Sequence, residues 1–217
     1  MLYQIKTSLH LFHQLVEGKE KMIAIILAGG KSSRFGSPKA LATISGEVFY
    51  EKIIRTLNQT NLFEKIVISS SEEMKDSFDY QDIVVDLPEY ENNGPLGGIY
   101  SVMQQYDTEC YFVIACDTPK ITEKAISYLY QFFISRVMEE QLDIAGYEAD
   151  GKKMPTLAFY SHRVVEDIKD ALDQEEYRMK EIYQKKPSQW LNVDFINDPT
   201  NWYQNINYIE DLETTEL

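Results

Sequence analysis

Cysteines and long apolar runs are scarce in this chain of 217 residues. Its two cysteines, Cys110 and Cys116, are too few for a disulfide framework, so a reducing cytoplasm is the simplest location. No uninterrupted apolar run approaches the length of a transmembrane helix. We therefore expect a cytoplasmic protein that has no membrane partner.

Positive charge is also scarce, because 21 lysines and arginines face 35 aspartates and glutamates, for a formal net charge of -14. Binding to a phosphate backbone needs an extended basic face, so this balance argues against nucleic acid as a partner, and against an anionic membrane surface. A small anionic ligand remains compatible, since local charge matters more than net charge at short range. We expect a small-molecule site.

The first 21 residues differ in character from the rest of the chain. Apolar residues recur there at helical spacing, and no small-residue cleavage site comes after them. We predict a helical N-terminal extension over residues 1–21, either an accessory helix or sequence upstream of a natural start at Met22. A docking helix is the alternative. The chain length favours a single domain over residues 22–217.

From Met22 onward, short apolar runs alternate with stretches of helical spacing. The predicted strands are Ile23–Ala28, Lys65–Ser69, Ile83–Asp86, Tyr111–Cys116, Asp143–Gly146 and Thr156–Tyr160. The predicted helices are Phe49–Leu57, Leu96–Gln105, a long helix capped by Thr122 and running to about Glu140, and Val164–Leu172. This order predicts βαβ units, and hence an α/β fold of three layers around a mostly parallel sheet.

Three sequence motifs fall where predicted strands end, namely "LAGG" from Leu27, "VVDLP" from Val84 and "ACDTP" from Ala115. In open parallel sheets the ligand binds at the carboxyl ends of the strands. The coincidence of these motifs with strand ends predicts one binding site built from all three.

The first of these ends leads into a glycine-rich loop. Gly29 and Gly30 permit positive φ and let main-chain N–H groups approach a ligand closely. The loop "GGKSSRFG" lacks the Gly-Lys-Ser/Thr ending of a P-loop and is not a G-x-G-x-x-G fingerprint. Glycines alone would equally suit a tight turn.

Cations in and after this loop favour a phosphate site. Arg34 can hold phosphate oxygens with two hydrogen bonds, and Lys39 provides a compact point charge. Pro38 restricts the backbone just before Lys39. Two such cations beside glycines suit a triphosphate or pyrophosphate.

Carboxylates stand just beyond the other two strand ends. Asp117 precedes a Thr-Pro turn and could present its carboxylate to a hard cation such as Mg²⁺, which reaches phosphate substrates through one or two carboxylates and water. Asp86 could bind ribose or base. Each could also simply begin a turn. The segment "NGPLGGI", residues 93–99, places bare backbone before a helix, whose N-terminus offers N–H donors, or is a loop that needs unusual dihedral angles.

The motifs together resemble those of the molybdenum cofactor guanylyltransferases, over Met22 to Leu212. The residues that carry the resemblance are "LAGGKSSRFGSPKAL", "VVDLPEYENNGPLGGI", "ACDTP" and "NINYIEDL". The resemblance implies a Rossmann-like fold of the nucleotide-diphospho-sugar transferase type. It also implies transfer of GMP from GTP to molybdenum-molybdopterin with release of pyrophosphate, and transient contact with the enzymes that deliver molybdopterin.

The resemblance assigns the donor nucleotide to the first strand end. It implies that Leu27, Ala28 and Gly29 contact GTP. It implies that Lys39 holds the phosphates. In the mechanism that we expect, Arg34 and Lys39 stabilise charge on the α-phosphate and on the departing pyrophosphate.

The resemblance assigns the remaining contacts to later strand ends. Asp86 would help bind the nucleoside, and Asp117 would bind both nucleotide and Mg²⁺, which makes Arg34, Lys39 and Asp117 the expected catalytic set. Asn205 and Asn207 match a paired-asparagine feature whose role stays open.

The sequence departs from the family pattern in two places that bear on specificity. Pro38 stands where many relatives have an acid, and Ser69–Ser71 replace frequent asparagines.

The alternatives to a guanylyltransferase are a CTP-dependent sister enzyme, a nucleotidyltransferase for a sugar or alcohol phosphate, and a non-catalytic nucleotide sensor.

The expected reaction needs no general base. A phosphate acceptor is already charged at neutral pH, because its second pKa is about 6.

Overall fold

The computed structural model describes residues 22–30, 38–137, 141–208 and 210–213. The predicted N-terminal helix over residues 1–21 and the predicted site residue Arg34 lie outside the described residues, and both stay predictions.

Seven strands of the described chain form one sheet, in the order β5–β4–β1–β6–β8–β7–β9. Only β8 runs antiparallel to its neighbours, and β2 and β3 form a separate small hairpin. The strands are β1 Met22–Leu27, β2 Thr43–Ile44, β3 Glu47–Val48, β4 Phe63–Ser70, β5 Ile83–Val85, β6 Cys110–Ala115, β7 Ile144–Ala149, β8 Lys152–Ser161 and β9 Ser188–Asn192.

Helices cover both faces of the sheet. The described helices are α1 Phe49–Thr60, α2 Gly94–Gln105, α3 Glu123–Val137, α4 Val165–Asp173, α5 Lys180–Tyr183 and α6 Glu210–Glu213. Helices α1 and α3 pack together on one face, and α2 and α4 pack together on the other. The prediction of three layers around a mostly parallel sheet is therefore confirmed.

The central strand β1 shows why its apolar run is continuous. Ile23 and Ile25 belong to the core cluster on the α2 face, whereas Ala24 and Ile26 belong to the cluster on the α1 face. All four are at most 5% exposed. A strand buried on both faces needs apolar residues at every position, which is typical of a parallel sheet between helices.

The predicted elements lie where the sequence placed them, with ends shifted by a few residues. The hydroxyl of Thr122 accepts a hydrogen bond from the Ala125 amide at 3.2 Å, as expected for an N-cap of α3. Helix α3 is described to Val137, so its predicted end near Glu140 lies outside the described residues. Strand β9 was not predicted, and it extends the sheet beyond β7.

The loops that leave the parallel strands are joined side by side. The Ala28 amide donates to the Ser69 carbonyl at 2.8 Å, and the Cys116 amide donates to the Leu27 carbonyl at 3.0 Å. The Asp86 amide donates to the Ser70 carbonyl at 3.2 Å. These bonds bring the ends of β1, β4, β5 and β6 to one edge of the sheet, where a ligand site is expected.

Candidate active site

A cavity of about 530 Å³ opens at this edge of the sheet. Its lining includes five of the predicted site residues: Leu27, Gly29, Lys39, Asp86 and Asp117. Gly94, Pro95 and Gly98 of helix α2 line the same cavity, as does Thr156 of β8. The structure therefore brings the three motif-bearing strand ends and the "GPLGG" helix start around one space.

Lys39 and Asp117 form an ion pair in this cavity. The Lys39 Nζ lies 3.1 Å from Asp117 Oδ2, and the two side chains are only 14% and 18% exposed. The same ammonium group donates to Asn207 Oδ1 at 2.7 Å. Two residues from separate sequence motifs thus form one ion pair. Asn207, near the C-terminus, bonds to the lysine of this pair.

The other carboxylate oxygen of Asp117 is a buried acceptor. Asp117 Oδ1 has no hydrogen-bond partner among the described residues. Buried polar atoms are normally satisfied, so an unpartnered one in a cavity indicates where a donor or cation of a ligand can bind. Within the described part of the chain, no group of three or more histidines, cysteines, aspartates or glutamates is arranged around a metal position.

The backbone beside Asp117 is held by the segment that carries the paired asparagines. The Ile206 amide donates to the Asp117 carbonyl at 2.7 Å. Thr118, which is 2% exposed, donates from its hydroxyl to Asn205 Oδ1 at 3.1 Å. Asn205 thus anchors this segment to the turn after β6, while Asn207 contacts Lys39. The only sequence signal for these roles is two asparagines on either side of an apolar residue.

Asp86 sits at the other side of the cavity in a drier environment. Its Oδ1 accepts a hydrogen bond from the buried Ser69 hydroxyl at 3.2 Å. Burial raises the pKa of Asp86 to about 6, and the Ser69 bond opposes only part of that effect. Asp86 is therefore mostly ionised at neutral pH, and it becomes protonated in mild acid.

Glycines let helix α2 approach this carboxylate closely. A Cβ atom at Gly98 would lie 2.2 Å from Ser69 Oγ and 3.3 Å from Asp86 Oδ1. A Cβ atom at Gly97 would lie 2.5 Å from the Tyr90 carbonyl oxygen. Glycine is therefore required here for space, and at Gly94, where φ is +68°, for conformation.

The first-strand residues contribute mainly backbone. Gly29 lines the cavity, and a Cβ atom there would lie 3.3 Å from the Ser71 amide nitrogen. Neither Gly29 nor Gly30 has a positive φ, so neither forms a left-handed turn, and close approach explains the glycine at position 29 only. Ala28 is 3% exposed in a core cluster with Ala40 and Tyr50, and it does not line the cavity.

Neither Cys116 nor His162 is suited to act as a nucleophile or general base in this cavity. Burial raises the pKa of the Cys116 thiol to about 12, so this cavity-lining cysteine stays protonated at neutral pH. His162, the one histidine among the described residues, lies 3.4 Å from Asp107 and does not line the cavity. The chemistry that this arrangement supports is charge neutralisation of a polyanion.

A second cavity of about 500 Å³ is lined by the asparagine segment. Asn205, Ile206 and Asn207 all line it, and the first two bond to the Asp117–Thr118 turn. Its wall also carries two lysines and two aspartates, namely Lys120, Lys152, Asp150 and Asp211. Residues 205–207 therefore connect this wall to the Asp117–Thr118 turn and, through Asn207, to Lys39 of the first cavity.

Comparison with known proteins identifies the family. A family model described as "MobA-like NTP transferase domain" matches residues 24–190. The chain belongs to this family. As a MobA-like domain it is a nucleotidyltransferase, and the cavity at the sheet edge is its candidate nucleotide site.

Solved structures share the fold of this MobA-like domain. Molybdopterin-guanine dinucleotide biosynthesis protein A from Archaeoglobus fulgidus is 21% identical with a TM-score of 0.72, over 90% of this chain and 97% of that chain. A 4-diphosphocytidyl-2C-methyl-D-erythritol synthase from Anaerococcus prevotii is 11% identical with a TM-score of 0.65, over 93% and 96% of the two chains. At these identities the likeness shows the fold alone.

No helix in the described ranges combines the length and apolarity needed to cross a lipid bilayer.

Proposed function

We propose that this MobA-like domain transfers GMP from GTP to molybdenum-molybdopterin, releasing pyrophosphate. The observation that carries the proposal is the Lys39–Asp117 pair, which stands in a glycine-lined cavity where one carboxylate oxygen of Asp117 has no hydrogen-bond partner among the described residues. A cation for phosphate and a free acceptor for a metal ion are the two groups that nucleotidyl transfer requires. The resemblance to molybdenum cofactor guanylyltransferases supports the choice of substrates.

Lys39 is the proposed ligand of the donor phosphates. Its ammonium group is shared between the carboxylate of Asp117 and the neutral amide oxygen of Asn207. A triphosphate entering the cavity would meet this charge from the Gly29 side of the cavity. Arg34 is the second proposed phosphate ligand, on sequence grounds only.

Asp117 is the proposed holder of Mg²⁺. The metal usually binds through one or two carboxylates, water and substrate phosphates, so a buried carboxylate with one oxygen unpartnered within the described ranges fits it. When bound, Mg²⁺ neutralises charge on the phosphate oxygens and acts as a Lewis acid. Asp117 contributes by keeping that oxygen fixed, since its main chain is tied to Ile206.

The reaction needs no protein base. An oxygen of the acceptor phosphate monoester, already a dianion, attacks the α-phosphorus of GTP. The bond from that phosphorus to the bridging oxygen breaks, and the electron pair leaves with pyrophosphate. The protein's task is to hold two polyanions in line, and Lys39 offsets their repulsion.

The second cavity is the proposed acceptor site. Lys120 and Lys152 can attract the acceptor phosphate, while Met154 and Tyr203 offer surface for a ring system. Because residues 205–207 line this cavity and Asn207 also bonds to Lys39, an acceptor there would be close to the donor phosphates.

Asp86 is the proposed contact for guanine. An ionised carboxylate only accepts hydrogen bonds, and the Watson–Crick edge of guanine presents two adjacent N–H donors, whereas that of cytosine presents one. CTP is the alternative donor, favoured by the absence of side-chain amides at Ser69–Ser71 and by the fold shared with a cytidylyl enzyme.

Thermal stabilisation by nucleotides in the presence of Mg²⁺ tests the proposal first. We expect GTP, at ~100 times its Kd, to stabilise the protein by about 2.7 kcal/mol, and ATP, CTP and UTP to stabilise it less. Selective stabilisation by CTP would move the assignment to cytidylyl transfer. Stabilisation by no nucleotide would overturn the proposal.

Turnover tests the role of Asp117. Asp117→Ala removes the acceptor for Mg²⁺, so we expect Mg²⁺-dependent pyrophosphate release with molybdopterin and GTP to fall roughly two to three orders of magnitude. Asp194→Ala, an exposed acid that lines neither cavity, is a comparison variant of equal charge change. Turnover near that of the parent in Asp117→Ala would remove Asp117 from the mechanism.

A further inference from the structure

Asp211, in the short helix α6, holds two main-chain amides that precede the helix. Its Oδ2 accepts hydrogen bonds from the Asn207 amide at 2.8 Å and from the Tyr208 amide at 2.9 Å. These bonds, aided by the nearby charges of Lys120 and Lys39, hold the pKa of Asp211 below its usual range. The carboxylate is therefore fully ionised near neutral pH, and it fixes the backbone of both residues.

The side chain of one of these residues reaches the phosphate-binding lysine. Asn207 Oδ1 lies 2.7 Å from Lys39 Nζ, a shorter contact than the 3.1 Å between Lys39 and Asp117. An amide oxygen is neutral, so it orients the ammonium group and leaves its charge for a phosphate. The direction of this amide depends on where the Asn207 backbone lies.

We propose that Asp211 is a positioning residue for Lys39, acting through Asn207. The proposal rests on the proposed function only in taking Lys39 as the ligand of the phosphates. Asp211 accepts from the main chain, Asn207 accepts from the lysine, and the Ile206 amide bonds to the Asp117 carbonyl. Three consecutive residues, 206–208, thus connect α6 to both members of the ion pair.

A purely local role for Asp211 predicts different behaviour. An acid early in a helix can bond to amides just before it and only stabilise that helix. Asp198 provides a matched control, because it accepts bonds from the Thr200 amide and hydroxyl in the same C-terminal region, and these bonds lower its pKa. Asp198 lines neither cavity, and its hydrogen bonds go to Thr200 and not to the Lys39–Asn207 contact.

Pyrophosphate binding measured by calorimetry is the first readout, since pyrophosphate is the product whatever the base. We expect Asp211→Ala to raise its Kd roughly tenfold, the effect of losing one hydrogen bond to a charged group. Asp211→Asn keeps an acceptor oxygen and should change the Kd by about threefold or less. Asp198→Ala should leave it unchanged.

A double-mutant cycle separates positioning from stability. If Asp211 acts through Asn207, Asp211→Ala should have no further effect on the pyrophosphate Kd in an Asn207→Ala background. Additive effects of the two substitutions would overturn the proposal. So would equal effects of Asp211→Ala and Asp198→Ala.

Acylation of Lys39 by acetic anhydride, followed by mass spectrometry, gives a readout that needs no ligand. If Asp211 no longer holds the Asn207 backbone, Lys39 should become more exposed. We therefore expect acylation of Lys39 to be faster in Asp211→Ala than in the parent or in Asp198→Ala. An unchanged Lys39 rate in Asp211→Ala would overturn the proposal. If the parent binds no pyrophosphate, the proposed function fails, and the acylation rate alone decides the role of Asp211.

Discussion

The two ends of the cavity at the sheet edge differ in charge and in solvation. At one end Lys39, Asp117 and Asn207 concentrate charge around a carboxylate oxygen that has no partner in the described part of the chain. At the other end Asp86 is desolvated and held by Ser69. The first end suits phosphates and the second suits a neutral, hydrogen-bonding group, so a nucleotide has one natural direction in the cavity.

The raised pKa of Asp86 makes folding stability depend on pH. The folded protein holds this proton up to about pH 6, whereas the unfolded chain releases it near 3.8. The stability that this group contributes is therefore present below pH 3.8 and is lost as pH rises through 6. We expect Asp86→Asn, which keeps an acceptor for Ser69, to be more stable than the parent at about pH 8, with a difference that shrinks toward about pH 4.5. Urea unfolding at both pH values measures this, and a pH-independent difference would contradict it.

Gly98 is the glycine whose replacement has the clearest consequence. The Cβ of Gly98→Ala would lie 2.2 Å from Ser69 Oγ, so the serine must leave Asp86 or helix α2 must shift. We expect a loss of about 1–3 kcal/mol in the free energy of unfolding, together with weaker nucleotide binding. The double variant Ser69→Ala, Gly98→Ala removes the clashing oxygen and should recover part of the stability. No recovery would place the strain elsewhere.

At the scale of elements, the segment after β9 is attached by one large side chain. Trp202 is 1% exposed, and its ring lies 4.8 Å from that of Tyr147 in an edge-to-face contact. We expect Trp202→Ala to cost about 3–5 kcal/mol in unfolding free energy. Phe195→Ala is the control, because this neighbouring aromatic is 65% exposed and should cost under about 0.5 kcal/mol. Equal costs by chemical denaturation would mean that Trp202 does not anchor the segment.

The elements that could be predicted from sequence are those with a strong apolar pattern. Strand β1 is apolar at nearly every position because both its faces are buried, and its pattern is unambiguous. Strand β9 was not predicted because Ser188 and Gln189 are polar and hide the apolar pattern. Its pairing with β7 supplies the stability that its composition lacks. The β2–β3 hairpin has only two residues in each strand, too few for any period to show.

The candidate site likewise contains some residues that could be predicted from the sequence and others that could not. Lys39, Asp86 and Asp117 were predictable because each comes after a strand or a glycine loop in a recognisable motif. Asn207 bonds to a lysine 168 positions earlier, and no local pattern encodes a contact of that separation. Its role, and that of Asp211 behind it, needed coordinates.

At the scale of the whole molecule, the last strand of the sheet comes earlier in the sequence than the last residues of the site. The seven-stranded sheet ends with β9 at Asn192, but Lys39 also bonds to Asn207, whose main-chain amide bonds to Asp211. We expect a chain that ends at Asn201 to retain the helical and strand content of the parent by circular dichroism, with a lower melting temperature. It should bind pyrophosphate at least about tenfold more weakly, because Lys39 loses its Asn207 hydrogen bond. Binding at parental strength would show that this segment is dispensable.

The large sequence separation of the Lys39 contacts determines when the site can form during synthesis. Lys39 leaves the ribosome early, Asp117 emerges 78 residues later, and Asn207 emerges 168 residues later. Because chains emerge from the N-terminus, a nascent molecule has strands available for pairing well before it has a finished charge centre. Nucleotide should therefore stabilise molecules that include Asn207 more strongly than partly made chains, which rely mainly on the packing of their core.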